Sequence, residues 1–203
     1  IGLPQSPPNM LIVALSLMLT WFVMDPVLRD AWTAAGAPLQ RGEITLAQLL
    51  AMEDGLASNE NYGAVTDVTR MLYLEPDMAA FAADAPLVAK PGTRFNYSSG
   101  SAVLISRIWM NRAGTPSEAL AYPREALFDP LGMESAVMET DAKGTFVGSS
   151  YMYATARDWA RFALFLLQDG VWGGERLLPE GFVARMSEPN ATSEGRYSMM
   201  QTW

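Results

Sequence analysis

From Asp25 onward, start and stop signals cut the chain at intervals too short for any long helix. Thr45-Leu46-Ala47-Gln48 is a capping box, in which the Thr hydroxyl accepts from the third amide and the Gln reaches back. The helix it opens carries Leu46, Leu49, Leu50 and Met52, with Gly55 as its stop. Asp67 to Leu74 and Asp77 to Asp84 read as helices bounded by Pro76 and Pro86. Ser101 to Arg112 carries an apolar stripe that Gly114 closes, and the turn before it offers Ser99 as the N-cap. Thr115 to Glu118 is a second capping box, and Pro123 is expected to split the helix that follows. Thr155 opens a helix with Trp159, Phe162, Leu166 and Leu167 on one side, and Pro179-Glu180 opens a last short one. Strand signals are confined to Phe95–Tyr97, Ala136–Glu139 and Arg176–Leu178, each a short strand or a loop edge, with Gly173-Gly174 as a hairpin turn. The pattern predicts a mainly helical domain with loop-rich joins.

Residues 10–24, MLIVALSLMLTWFVM, carry no charge. As a helix they would span about 22 Å, short of the roughly 30 Å hydrocarbon core of a bilayer. The preceding IGLPQSPPN lacks the basic residues of a signal peptide, and Asp25-Pro26 follows directly. Two readings stay open: a buried core helix, or an export or anchor segment. The first leaves the chain in the cytoplasm. The second makes it periplasmic or membrane-tethered through residues 10–24. The chain therefore divides into an apolar segment, 1–24, and a domain, 25–203.

Composition removes several chemistries. The 203 residues hold no Cys and no His, which excludes disulfides, thiolate catalysis and a Ser-His-Asp triad. Lys90 and Lys143 are the sole candidate amine bases. With 14 basic against 22 acidic residues and no basic stripe, a nucleic-acid partner is not expected. Half of the residues are hydrophobic and 18% are charged, so the chain can bury a core.

Three loops are candidate sites. Lys90 to Gly100 precedes a helix N-terminus, Gly148 to Tyr153 precedes the Thr155 cap, and Asp54 to Tyr62 offers acidic and amide groups that either line a pocket or stay solvated. Asn96-Tyr97-Ser98 and Asn190-Ala191-Thr192 also match the short glycosylation pattern.

At these loops the blocks PGTRFNYSSGSAVLISRI and YPREALFDPLGMESAVMETDAKGTFVGSSYMYATARDWARFALFLLQDGVWGGERLLPEGFV resemble the β-lactamase-related serine hydrolases. The branch they look closest to contains 6-aminohexanoate-dimer hydrolases and esterases related to class C β-lactamases. ITLAQLLAMEDGLASNENYG resembles that family's segment ahead of its tyrosine loop. The resemblance implies an α+β fold, predominantly helical in this chain, with much of the antiparallel sheet missing. It also implies cleavage of a small-molecule amide or ester through an acyl-enzyme, without metal or cofactor.

In that family a Ser-x-x-Lys helix, a Tyr-x-Asn loop and a later His-x-Gly or Lys-Thr-Gly strand do the chemistry. Tyr97 matches the tyrosine, which implies proton transfer between nucleophile and leaving group. Ser99 stands where the family has Asn, and Ser99 and Tyr151 are the implied substrate contacts. No Ser is followed three residues later by Lys, and the third motif would fall after Trp203. Ser98 or Ser99 as nucleophile beside Tyr97 is disfavoured, because neighbours on one loop rarely face each other. The expectation is a hydrolase piece that is inactive alone, or a non-catalytic module. Its uncovered apolar faces would call for a partner or self-association.

Overall fold

A computed structural model describes residues 44–202, so the apolar segment 10–24 and the boundary after it lie outside the described residues. The Thr45 capping box forms as read and opens α1 (Leu46–Leu50), which buries Leu46, Leu49 and Leu50. The helix ends well before Gly55; that glycine instead turns the following loop at φ +78°. Thr66 caps α2 (Asp67–Leu74), and Asp77 caps α3 (Met78–Ala83) through the Ala80 amide at 3.0 Å.

The twelve-residue α4 (Ser99–Met110) begins two residues earlier than the apolar stripe predicts. Its cap is Ser98, not Ser99. Ser98 is extended and accepts from the Ser101 amide at 3.1 Å, which leaves Ser99 as the first helical residue. The capping box at Thr115 opens α5 (Pro116–Pro123). The break expected at Pro123 does not occur. Pro123 lacks an N–H and crowds the preceding turn, and the chain absorbs this by widening into a π-helical turn, Arg124–Phe128. It then runs on through α6 (Asp129–Leu131) to Gly132 at φ +66°.

The strands are short. β1 (Val137–Met138) pairs antiparallel with β2 (Met152–Tyr153), Val137 opposite Tyr153. Thr155 caps α7 (Ala156–Leu167), whose buried face is Asp158, Trp159, Phe162 and Phe165. β3 (Val171–Trp172) and β4 (Glu175–Arg176) make the hairpin over Gly173-Gly174. Of the two readings open for Phe95–Tyr97 the chain takes the loop, and β4 lies slightly ahead of Arg176–Leu178. The last α-helix, α8 (Phe182–Met186), starts after Gly181 at φ +74° rather than at Pro179.

Two cores result. The larger gathers Trp109, Leu127, Leu131, Phe162 and Phe165; the smaller gathers Val68, Met71, Leu72, Met78 and Ala82. α4 serves both, giving Ile105 and Trp109 to one and Val103 to the other. Trp109 lies nearly parallel to Phe146 with ring centroids 5.9 Å apart. A helix clamped between two cores holds its N-terminus, and the loop leading into it, in a fixed place. Among the described residues no helix is long and apolar enough to cross a membrane.

Candidate active site

The loop entering α4 is tied to the loop leaving α1. The Gly92 amide donates to the Glu53 carbonyl at 2.7 Å, and the Asn96 amide donates to the Met52 carbonyl at 2.9 Å. Beneath this pairing the Asp54 carboxyl, 2% exposed, accepts the Leu56 amide at 2.8 Å and the Ser101 hydroxyl at 2.5 Å. Burial pushes the Asp54 pKa up, opposed by the hydrogen bond from Ser101 and those from the backbone.

Tyr97 is half-buried on this loop. Its ring stands 5.9 Å from that of Tyr197, which stacks on Phe95 at 4.6 Å. Ser99 is 4% exposed, and a carboxylate holds it. Its backbone N–H donates to Glu60 Oε1 at 2.7 Å and its hydroxyl donates to Glu60 Oε2 at 2.8 Å. The Ser58 hydroxyl also donates to Glu60 Oε1, at 3.0 Å. Glu60 thus sits at the positive end of α4, where a carboxylate is favoured. Tyr62 meets the same Ser99 hydroxyl, and burial pushes the Tyr62 phenol up.

Tyr151 arrives from the far side, with a left-handed backbone at φ +62° and its ring against the smaller core. Burial, first, and a hydrogen bond with Tyr73, second, push its phenol above the usual tyrosine range. Tyr73 also lies close enough to Tyr62 to raise that phenol. Tyr73 thus lies next to Tyr151, while the Tyr97 ring stands next to that of Tyr197.

Of the acidic loop Asp54–Tyr62, Glu60 and Asp54 hydrogen-bond Ser99 and Ser101 at the start of α4. The sequence signalled the loop but not the partners, since Glu60 and Ser99 are 39 residues apart and no spacing rule joins them. Neither glycosylation pattern offers a free side chain: Asn190 is fully buried and Asn96 is half-buried against Leu56. Among the described residues no group of three or more acidic side chains could hold a metal ion.

The family model named Beta-lactamase matches residues 20–202. This chain belongs to the beta-lactamase family. Solved structures agree on the fold. A protein from Bacillus anthracis assigned as a 6-aminohexanoate-dimer hydrolase superposes with a TM-score of 0.66 at 20% identity, covering 86% of this chain and 51% of that one. The octameric penicillin-binding protein homologue from Pyrococcus abyssi gives 0.62 at 18% identity, over 89% and 48%. A beta-lactamase from Mycobacterium bovis gives 0.56 at 20% identity, over 89% and 52%. This family member thus spans about half the length of these solved relatives. Among curated proteins, a 45-residue stretch is 49% identical to the flagellar biosynthetic protein FliP of Aquifex aeolicus, covering 22% of this chain and 19% of that protein. A match of that extent carries no argument about the domain described above.

Proposed function

We propose that the chain supplies the proton-transfer and substrate-binding side of a serine hydrolase that cleaves an amide or ester through an acyl-enzyme. A serine oxygen attacks the substrate carbonyl, its proton passes through Tyr97 to the leaving nitrogen or oxygen, and water then hydrolyses the acyl-serine. Ser99 and Tyr151 contact the substrate. The observation that supports this reading is the placement of the Tyr97–Ser99 turn, in a chain of this family, on the fixed N-terminus of a doubly packed helix.

The nucleophile comes from outside these residues, because Lys90 and Lys143 follow Leu87 and Thr140 at the required spacing rather than a serine. The remaining half of the fold, including the larger antiparallel sheet, comes with it. That half covers apolar side chains such as Tyr73, Leu74 and Leu167, which stand exposed here.

The alternative is a non-catalytic module that keeps the helical region for binding or structure. It is favoured by the commitment of the Ser99 hydroxyl proton to Glu60. A fluorophosphonate probe and a p-nitrophenyl ester separate the readings. The 203-residue chain should neither be labelled nor turn over the ester. A chain lengthened to include an in-frame Ser-x-x-Lys should be labelled at that serine, and its Tyr97→Phe variant should lose about 100-fold or more in kcat. Failure of the lengthened chain to react supports the module. Stoichiometric labelling of the 203-residue chain that Ser99→Ala abolishes would move the nucleophile to Ser99.

A further inference from the structure

Behind the Tyr97 turn lies a cavity of about 390 Å³, whose inner wall is Ser98, Gly100 and Ser101. None of Tyr97, Ser99 and Tyr151 lines it, so it is a separate compartment that meets the candidate active site through Glu60. Its volume falls within the range of small-molecule pockets. The floor is apolar, built by Leu56, Val68, Met71 and Phe81, while the rim carries the carboxylates of Glu60 and Asp67.

Among the described residues one cation, Arg70, borders the cavity, and it is already engaged. Its Nε pairs with Glu75 at 2.6 Å and its guanidinium lies 5.2 Å above the Phe81 ring. Glu60 and Asp67 form no ion pair among the described residues; Glu60 is held by the Ser58 and Ser99 groups, and Asp67 by the Asn59 amide at 3.1 Å. An apolar floor under a rim with excess negative charge suits one ligand chemistry. We propose that this cavity binds an organic cation, a protonated amine whose apolar body fills the floor while its ammonium meets Glu60 and Asp67. An anionic ligand of the same shape is repelled, and a neutral one gains the floor alone.

The inference does not depend on the hydrolase reading, since it needs no turnover and the probes are unreactive. Three near-isosteric compounds test it on the 203-residue chain by amide NMR titration at pH 7: 2-phenylethylamine, 2-phenylethanol and 3-phenylpropionate. The amine should shift the amides of residues 57–60 and 67–71 saturably. The alcohol should bind roughly tenfold more weakly, and the carboxylate not at all. Asp67→Asn removes an exposed charge with little demand on the fold and should weaken the amine several-fold without affecting the alcohol. Ala57→Phe fills the cavity mouth and should abolish binding of both. Equal affinity for amine and alcohol, or an amine affinity that Asp67→Asn leaves unchanged, overturns the proposal. Undiminished binding by a folded Ala57→Phe chain also overturns it, because the amine would then sit on the acidic surface elsewhere. If Ala57→Phe does not fold, the Asp67→Asn and alcohol comparisons decide alone.

Discussion

The Glu60 carboxylate holds Ser99 at two points, the backbone N–H at 2.7 Å and the hydroxyl at 2.8 Å. Because Ser99 is the first residue of α4, this one side chain both caps the helix dipole and fixes the direction of the Ser99 hydroxyl. Its proton points at Glu60, so toward a substrate Ser99 offers lone pairs rather than a donor. An asparagine at this place would present both a donor and an acceptor.

Removing that grip should loosen the start of α4. Glu60→Ala deletes two charge-assisted hydrogen bonds and should cost about 2 kcal/mol in urea unfolding, whereas Glu60→Gln, which keeps an acceptor, should cost about half of that. Equal stability of all three chains would show that the pair is incidental.

What could be read in advance follows from the range of the interactions. The capping boxes at Thr45 and Thr115 are contacts within one helical turn, and both form as the residues dictate. The hairpin at Gly173-Gly174 is equally local. Pro123 misled because local propensity predicts a break, while the buried side chains of Leu127 and Phe128 hold the helix together across a widened turn. Tyr97 is singled out by resemblance alone. The partners of Glu60 and Asp54 are not legible, since each finds its serine only after α4 has docked beside the loop from α1.

Asp54 gives a pH signature. Burial lifts its folded-state pKa above the unfolded value, so in the window between the two the folded chain keeps a proton the unfolded chain has lost. Stability from this group is complete below the unfolded value, falls as pH rises through the window, and is level above it. Asp54→Asn lacks the effect. The stability of wild type relative to Asp54→Asn should therefore be higher at pH 4 than at pH 7, measured by urea unfolding. Asp77 and Asp158, whose pKa values are lowered, trend the other way in both chains and cancel in the difference. A difference that does not move with pH would rule out burial as the governing cause.

Gly55 is required for space as well as for backbone freedom. At φ +78° an L-residue is strained, and a Cβ would lie 2.2 Å from the Ala89 carbonyl oxygen. Gly144, at φ +79°, has nothing within 4 Å of the same position. Both Ala variants carry the backbone penalty of about 1 kcal/mol, and only Gly55→Ala must also displace the 87–89 segment. Gly55→Ala should thus melt well below Gly144→Ala, by about 5 °C or more. Matching melting temperatures would mean the two segments move apart freely.

Tyr151 should resist ionisation. Its phenol is raised first by burial, then by Tyr73 and by the nearby Tyr153 and Glu139. In an alkaline titration followed at 295 nm, the wild-type minus Tyr151→Phe difference should stay flat through about pH 10, where an exposed tyrosine is half ionised. Circular dichroism over the same range verifies that the chain is still folded, and in denaturant the difference should regain one ordinary tyrosine. A normal tyrosine step in the folded chain would place Tyr151 in solvent.

Asn190 ties the C-terminal segment to the same loop. Fully buried, it donates through Nδ2 to the Ala51 carbonyl at 3.0 Å and accepts through Oδ1 from the Ser193 amide, while the Thr192 hydroxyl lies within hydrogen-bond distance of both Asn190 Oδ1 and Glu53 and has one proton to give to one of them. Asn190→Asp keeps the shape but sets a carboxylate oxygen against the Ala51 carbonyl, a buried charge without a cation, which should cost about 3–5 kcal/mol at pH 7. Protonation restores a donor. The introduced carboxyl has a raised folded-state pKa, so the variant should recover stability relative to wild type as pH falls through that value. Thermal melts at pH 4.5 and pH 7 read the effect directly. A deficit of the same size at both pH values would mean that the Asn190 to Ala51 bond does not anchor the segment behind Asp54.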